Sequence, residues 1–525
     1  MRTAHTPPPG GGMTISDQLA RHARRSPDVS ALRFEGLDRS YRELDERVNR
    51  LARVLLDRGA RAGHRVAALC HNSPELIETY FACARIGAIC VPLNFRSAAA
   101  EVAYLLDDSG AEHVVVDAAL LPVLVDASAG RNLRTCLVVG TWDGSGQAES
   151  FDAATAAADP TPVVIAVDEL APALIMYTSG TTGRPKGAVL SHYNLMVQCL
   201  SRIAHIGLPT DCRVWLIATP LFHIGAFSGM LPAIQVGATV VLARSGAFDP
   251  AETVAVLERE RVGYCFLVPA QWQAICSTPG VRDRNLSALQ LISWGAAPAT
   301  TTLIRTLLDT FPSASLFTAF GQTETCPVTT LLLGEDAERK LGSVGTPLLN
   351  VEVRIVDADM NDVAPGEIGE IVYRGPSVMT GYWNNPDATA EAFEGGWFHS
   401  GDLVRQDEDG YIYVVDRLKD MIISGGENIY CAEVEDAVAA HPDVAEVAVV
   451  ATPHEVWGEV PHAVVVPRDP AAPPSLDNIT EWSRARLAGY KCPKLLTVLP
   501  ELPRNTTGKV MKNVLRAQLA PVQSH

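Results

Sequence analysis

The stretch Tyr177-Thr-Ser-Gly-Thr-Thr-Gly-Arg-Pro-Lys-Gly187 gathers groups that hold phosphate. Gly180 and Gly183 let backbone N–H groups approach phosphate oxygens. The hydroxyls of Thr178, Ser179, Thr181 and Thr182 add donors, and Lys186 adds positive charge. The apolar run 173–176 before it is strand-like, so the loop leaves a strand end, where α/β folds place ligands. It is not a Walker loop, because Pro185 precedes the lysine and Gly187 follows it. A flexible Ser/Gly/Thr turn is the bland alternative, and the density of hydroxyls and glycines around a single lysine argues against it.

Four further stretches follow in chain order. They are Ala319-Phe-Gly-Gln-Thr-Glu324, Gly396-Trp-Phe-His-Ser-Gly-Asp402, the run from Asp416-Arg417 through Ser424-Gly425-Gly426 to Tyr430, and Pro503-Arg-Asn-Thr-Thr-Gly-Lys509. Each has an ordinary reading when taken alone. Glu324 is then a paired or buried acid, Asp402 a turn residue, Arg417 a boundary salt bridge and Lys509 a solvated lysine. Together, in this order and spanning nearly the whole chain, the five resemble the motifs of the adenylate-forming (AMP-binding) superfamily. That superfamily comprises acyl-CoA synthetases, peptide-synthetase adenylation domains and firefly luciferase.

The resemblance implies an ATP-dependent carboxylic acid:CoA ligase that makes an acyl-adenylate and passes the acyl group to a thiol. It implies Mg²⁺ as cofactor, with ATP and CoA as co-substrates. Glu324 and Thr178 then hold the metal, since a hard cation bridging phosphates takes oxygen ligands. Residues 178–183 and Lys186 hold phosphates, and Ala319, Phe320, Gly321, Gln322 and Thr323 border the nucleotide. Phe320 offers its aromatic face to adenine where the family usually has Tyr. Asp402 accepts from both ribose hydroxyls, Arg417 contacts ribose and phosphate, and Ser400 replaces the common Thr. Lys509, on a swinging C-terminal lobe, brings a mobile ammonium to the point where two anions meet. A hinge at Lys419 then withdraws it and brings Ser424, Gly425 and Gly426 to the thiol tunnel. Cys431 stands where many relatives have Pro, with no catalytic role assigned.

Pro220-Leu-Phe-His223 resembles the segment where a His or aromatic residue gates acid entry, and a satisfied core histidine is an equal alternative. The turn Gly295-Ala296-Ala297-Pro298 resembles the strip bordering adenine and acyl chain. Trp215, Phe227, Gly229, Met230 and Trp294 line an apolar pocket or belong to the core. No acidic residue suited to an amino-acid ammonium is apparent, which favours an apolar acid, medium- or long-chain fatty or aryl. A separate carrier protein as acceptor, a luciferase-like oxygenase and a silent nucleotide-binding sensor are the competing readings. A homodimer is left open.

These residues need elements to position them. Ser40 and Glu43 have capping-box spacing before Leu44, Val48, Leu51, Leu55 and Leu56, an apolar stripe at helical period. Strand-like 64–69, a helix from Pro74 over 75–89 and strand-like 113–116 continue a β-α-β rhythm. This predicts an α/β fold with a large N-terminal domain of helix-covered parallel sheets. The resemblance adds a β-barrel-like part to it and makes the small α+β C-terminal domain mobile. The expected division is a disordered Pro/Gly leader over 1–12, an N-terminal domain over 13–416 and a C-terminal domain over 417–525, with Met13 as a possible start.

The chain has 525 residues and a formal charge of −17, which opposes a nucleic-acid or anionic-membrane surface. Eight basic residues against the single acid Glu501 between 484 and 516 reverse that sign locally, suiting a segment that faces phosphates. Eleven cysteines without a CxxC pair predict neither zinc nor a disulfide framework, and no apolar run is long enough to span a membrane. A cytoplasmic protein is the expectation.

Overall fold

The computed structural model describes residues 12–144, 148–178, 184–246, 248–295, 299–425, 427–504 and 510–519. The chain divides into two compact units, Met1–Val353 with Tyr373–Phe398, and Arg354–Val372 with His399–His525.

In the first unit the expected helix runs Tyr41–Asp57 and buries Leu44, Val48, Leu51 and Leu55. Its start is a reciprocal cap: the Ser40 N–H donates to Glu43 Oε2 at 2.8 Å, and the Glu43 N–H donates to Ser40 Oγ at 3.2 Å. The next helix, Pro74–Ile86, starts on Ser73 and stops three residues earlier than expected, because Gly87 turns left-handed at φ 71°.

Two sheets carry this unit. One has eight strands in the order Gly381–Tyr382, Lys186–Ser191, Pro172–Thr178, Ile89–Pro92, Arg65–Leu69, His113–Asp117, Thr135–Val139, Glu149–Ser150. The other has nine: Thr346–Pro347, Val328–Leu333, Ser315–Gly321, Leu291–Trp294, Tyr264–Phe266, Val214–Ile217, Thr239–Leu242, Ser30–Phe34, Leu37–Ser40. Their central strands are parallel, as apolar runs such as Val114–Val116, buried on both faces, require. Antiparallel pairs lie toward the edges, including 186–191 against 172–178 and 328–333 against 315–321, while Glu149–Ser150 ends the eight-stranded sheet in parallel.

The second unit contains most of a four-stranded sheet, Glu352–Val356, Ile368–Arg374, Phe398–Gln406 and Ile412–Arg417. It also has a five-stranded sheet built around the long hairpin Val444–His454 with Gly458–Pro467. Strand alternation sends Val449 and Val465 to one core with the helices Cys431–Ala439 and Leu476–Arg484. Val450 and Val464 go to another core with Leu502 and with Leu515 of the helix Lys512–Leu519. The chain enters this unit twice, so the expected change of domain between Asp416 and Arg417 falls inside the 412–417 strand. All eleven cysteines are free, and no described helix is long and apolar enough to cross a membrane.

Candidate functional site

Thr178 and Lys186 face each other across the mouth of the 172–178/186–191 hairpin, so the two ends of the hydroxyl-rich loop are fixed by a β-ladder. Ser179, Gly180, Thr181, Thr182 and Gly183 lie outside the described residues. Both arms are braced on the helix Ala99–Ser109. The Tyr104 hydroxyl donates to Pro185 O at 3.1 Å, and the Tyr177 hydroxyl donates to Asp108 Oδ2 at 2.6 Å. Gly187 admits no side chain without displacement, since a Cβ there would sit 2.7 Å from Ile175 Cγ2.

Glu324 sits in the short turn Thr323–Thr325 after the 315–321 strand and is only 6% exposed. Its Oε1 accepts from Thr178 Oγ1 at 3.2 Å and from the Tyr382 hydroxyl at 3.0 Å. The Tyr382 ring also lies 5.2 Å from Lys186 Nζ, so one tyrosine touches both charged groups. Burial, then the Glu324 carboxylate, pushes the Tyr382 phenol up and keeps it a donor. Sequence reasoning missed Tyr382: it is 58 residues from Glu324 and reaches it only because 381–382 pairs with 186–191. Gly321 is obligatory for this turn, because its φ is 148° and a Cβ would lie 1.8 Å from Pro327 O. Phe320 and Ala319 precede it in the same strand, and Gln322 donates its N–H to Thr325 Oγ1 at 3.2 Å.

Among the described residues no group of three or more His, Cys, Asp or Glu could hold a metal. Glu324 with its two hydroxyl neighbours is a hard-oxygen set, and it fits a Mg²⁺ ion that brings phosphate and water ligands with it.

In the second unit Asp402 and Arg417 are register partners on adjacent strands, with Arg417 Nε 2.6 Å from Asp402 Oδ1. Asp402 is buried, while Arg417 remains partly open. Lys419 is exposed in the turn after Arg417, whose carbonyl accepts from the N–H groups of Asp420 at 2.9 Å and Met421 at 3.1 Å. Ser424 ends the strand Ile422–Ser424, and Gly425, at φ 60°, donates to Trp457 O at 2.8 Å. Gly426 lies outside the described residues, as does Lys509; Arg504 and Val510 on either side of 505–509 form an antiparallel bridge. Cys431 is buried, its Sγ donating to Asp420 O at 2.9 Å, and burial pushes its thiol up.

The residues considered for an acid pocket sort by strand alternation on the nine-stranded sheet. Trp215, Ile217, Tyr264, Phe266, Ser293, Gly295, Phe317 and Ala319 share one face: Tyr264 lies edge-on to Trp215 at 4.6 Å and stacks on Phe317 at 5.9 Å. Trp294 points to the other face. The helices His192–Ile206 and Ile224–Val236 cover the first face; Arg202 of one donates to Ser228 O of the other at 2.9 Å and to the Tyr264 hydroxyl. Gly229 and Gly295 permit close packing there. A Cβ at Gly229 would meet Ile217 Cδ1 at 3.3 Å, and one at Gly295 would meet Ala319 O at 2.8 Å and the Phe266 ring at 3.2 Å. Phe227 packs on Tyr80, 4.9 Å away, and Met230 is buried. Ala296 and Ala297 lie outside the described residues. His223 begins the 224–236 helix with its ring 4.1 Å from Phe222. Its buried Nε2 has no hydrogen-bond partner among the described residues, and burial, with Arg96 adding to it, pushes the imidazole down to about 4. Burial thus keeps the imidazole neutral near pH 7.

The AMP-binding enzyme family matches residues 19–383, and the AMP-binding enzyme C-terminal domain matches residues 433–509. The chain is 42% identical over 497 residues to a feruloyl-CoA synthase of Amycolatopsis sp, covering 94% of this chain and 97% of that protein. It is 40% identical over 513 residues to an indoleacetate–CoA ligase of Aromatoleum aromaticum, covering 97% and 98%. The o-succinylbenzoate CoA synthetase of Bacillus subtilis, solved with its acyl-adenylate intermediate, matches with a TM-score of 0.84 at 32% identity, over 95% of this chain and 97% of that one. The same enzyme has been solved with ATP and magnesium ion.

Proposed function

The chain belongs to the AMP-binding enzyme family and is an AMP-forming acid–thiol ligase, an acid:CoA ligase acting through an acyl-adenylate, and we propose that its acid is an aryl carboxylic acid. The observation that carries this is the pocket face itself. Tyr264, Phe266 and Phe317 stand on one side of the nine-stranded sheet, and an aromatic surface of this kind suits a flat ring. The names borne by the feruloyl- and indoleacetate-activating relatives agree with it.

In the first half-reaction a carboxylate oxygen of the acid attacks the α-phosphorus of ATP, the α–β phosphoanhydride bond breaks, and pyrophosphate leaves. Lys509 provides the ammonium that tolerates two anions meeting there, and residues 178–183 with Lys186 hold the leaving phosphates. Glu324 and Thr178 would hold Mg²⁺, and Tyr382 fixes the carboxylate by its hydroxyl. Mg²⁺, when bound, neutralises phosphate charge. Asp402 takes the ribose hydroxyls while Arg417 holds Asp402 in place. In the second half-reaction the thiol sulfur of CoA attacks the acyl carbon, its proton goes to solvent, and AMP leaves; Ser424, Gly425 and Gly426 line the thiol's approach. No acyl-enzyme is needed.

The test is ATP–pyrophosphate exchange with cinnamic, indoleacetic, octanoic and hexadecanoic acids on the purified chain. The aryl acids are expected to give the highest kcat/KM. A preference for either fatty acid would overturn the aryl assignment and leave the ligase itself intact.

A further inference from the structure

Glu370 lies on the strand Ile368–Arg374, next to the strand that carries Asp402, and its side chain is 15% exposed. Both of its carboxylate oxygens are spent on one short stretch. Oε1 accepts from the Gly401 N–H at 2.8 Å, and Oε2 lies 2.8 Å from His399 Nδ1. The carbonyl of the next residue, Ile371, accepts from the Ser400 hydroxyl at 2.5 Å, and Ser400 Oγ accepts from the Asp402 N–H at 3.0 Å. Residues 399–402 are thus tied one after another to 370–371.

The Gly401 peptide is where these ties meet the nucleotide-binding pair. Gly401 turns left-handed at φ 70°, and its carbonyl accepts from the Leu418 N–H at 2.9 Å. Glu370 therefore holds a residue that directly precedes Asp402 and is bonded to the residue directly after Arg417. Asp402 and Arg417 are themselves paired at 2.6 Å. Bonds from a carboxylate to a backbone N–H and to an imidazole are charge-assisted and directional, so they fix the turn more firmly than neutral bonds would. Two neighbouring ribose hydroxyls need a carboxylate set at one angle, because a shift of about 1 Å takes a hydrogen bond out of range.

We propose that Glu370 is a positioning residue for the ribose site: by fixing Gly401 and His399 it sets the angle at which Asp402 meets the ribose hydroxyls, and so governs how well the enzyme tells ATP from a deoxy analogue. The inference rests on the ribose role proposed above for Asp402. Glu370 acts through the backbone of residues 401 and 402.

The test is ATP–pyrophosphate exchange with ATP and with 2′-deoxyATP, using the acid that serves best, in the wild type, Asp402→Asn and Glu370→Ala, with thermal melts to establish that each variant is folded. The wild type is expected to favour ATP by roughly tenfold to a hundredfold in kcat/KM. Glu370→Ala should bring that preference to within about threefold of unity by raising KM for ATP, while KM for 2′-deoxyATP and for the acid change little. A purely structural part for Glu370 would slow both nucleotides alike and keep the preference. That result in folded Glu370→Ala, with the preference lost in Asp402→Asn, overturns the inference and leaves the ribose role standing. If Glu370→Ala does not fold, His399→Ala is read in its place, and an unchanged preference there overturns the inference equally. If the wild type uses both nucleotides alike, or Asp402→Asn keeps the preference, the ribose role itself falls and takes this inference with it.

Discussion

Glu324 is buried, and its Oε1 is held by the hydroxyls of Thr178 and of Tyr382, from the segment after Gly381. Glu324→Gln keeps the shape and loses the charge, so adenylation should fall by about a hundredfold or more while the melting temperature barely moves. Tyr382→Phe removes only the hydroxyl, and the Mg²⁺ concentration needed for half-maximal exchange should rise by about tenfold. A magnesium titration of exchange rate reads both, and an unchanged Tyr382→Phe titration would separate that residue from the metal. Lys509→Ala should abolish adenylation and largely spare thioester formation from supplied acyl-adenylate. Equal loss in both half-reactions would contradict the role proposed for it. Glu324 and Lys509 could be proposed from the sequence because short motifs carry them. Tyr382, Tyr264 and Arg202 were not, because their partners lie 58, 29 and 62 residues away and no local spacing announces such contacts.

Among the elements, the strand 315–321 and its turn show most sharply what backbone geometry contributes. Gly321→Ala places a Cβ on Pro327 O, so it should destabilise the protein by at least about 2 kcal/mol and remove adenylation with it. Gly207→Ala is the control: its φ is 64° and a Cβ there would meet nothing within 4 Å, so about 1 kcal/mol is expected. Denaturant unfolding of both variants measures the difference, and equal costs would show that the close approach at Gly321 is relieved cheaply. Helix starts were readable from the chain, as Ser40 with Glu43 and Ser73 with Pro74 demonstrate, because caps are local chemistry. The partition of the pocket residues was not. Trp294 and Gly295 are neighbours in sequence and point to opposite faces of one sheet, a distinction that needs the strand register.

For the molecule as a whole, the buried histidines set a response to acid. Burial pushes His192 down to about 4 from an ordinary value of 6.5, so the folded state keeps it neutral while the unfolded chain takes up a proton. Its folded value lies below its unfolded one, so stability is complete above about 6.5 and is lost progressively as the pH falls toward 4. Between pH 7.5 and pH 5.0 the wild type should lose about 2 kcal/mol more than His192→Gln in denaturant unfolding. Parallel pH dependence in the two proteins would refute this account. The hinge proposed at Lys419 also belongs to this scale. Lys419 is the third residue of the Arg417–Asp420 turn, where proline is disfavoured. Lys419→Pro should therefore slow thioester formation several-fold in single-turnover measurements and spare adenylation.

The amino-acid sequence by itself determined the α/β class, the order of the phosphate, carboxylate and lysine motifs, and the ligase chemistry that their resemblance implied. These depend on residues close together in the chain, where turn, cap and loop chemistry is written locally. Only the tertiary structure decided which side chains meet. It set Tyr382 on Glu324, Asp402 against Arg417 and Arg202 on Tyr264, because side-chain contacts follow strand register and the packing of helices onto sheet faces.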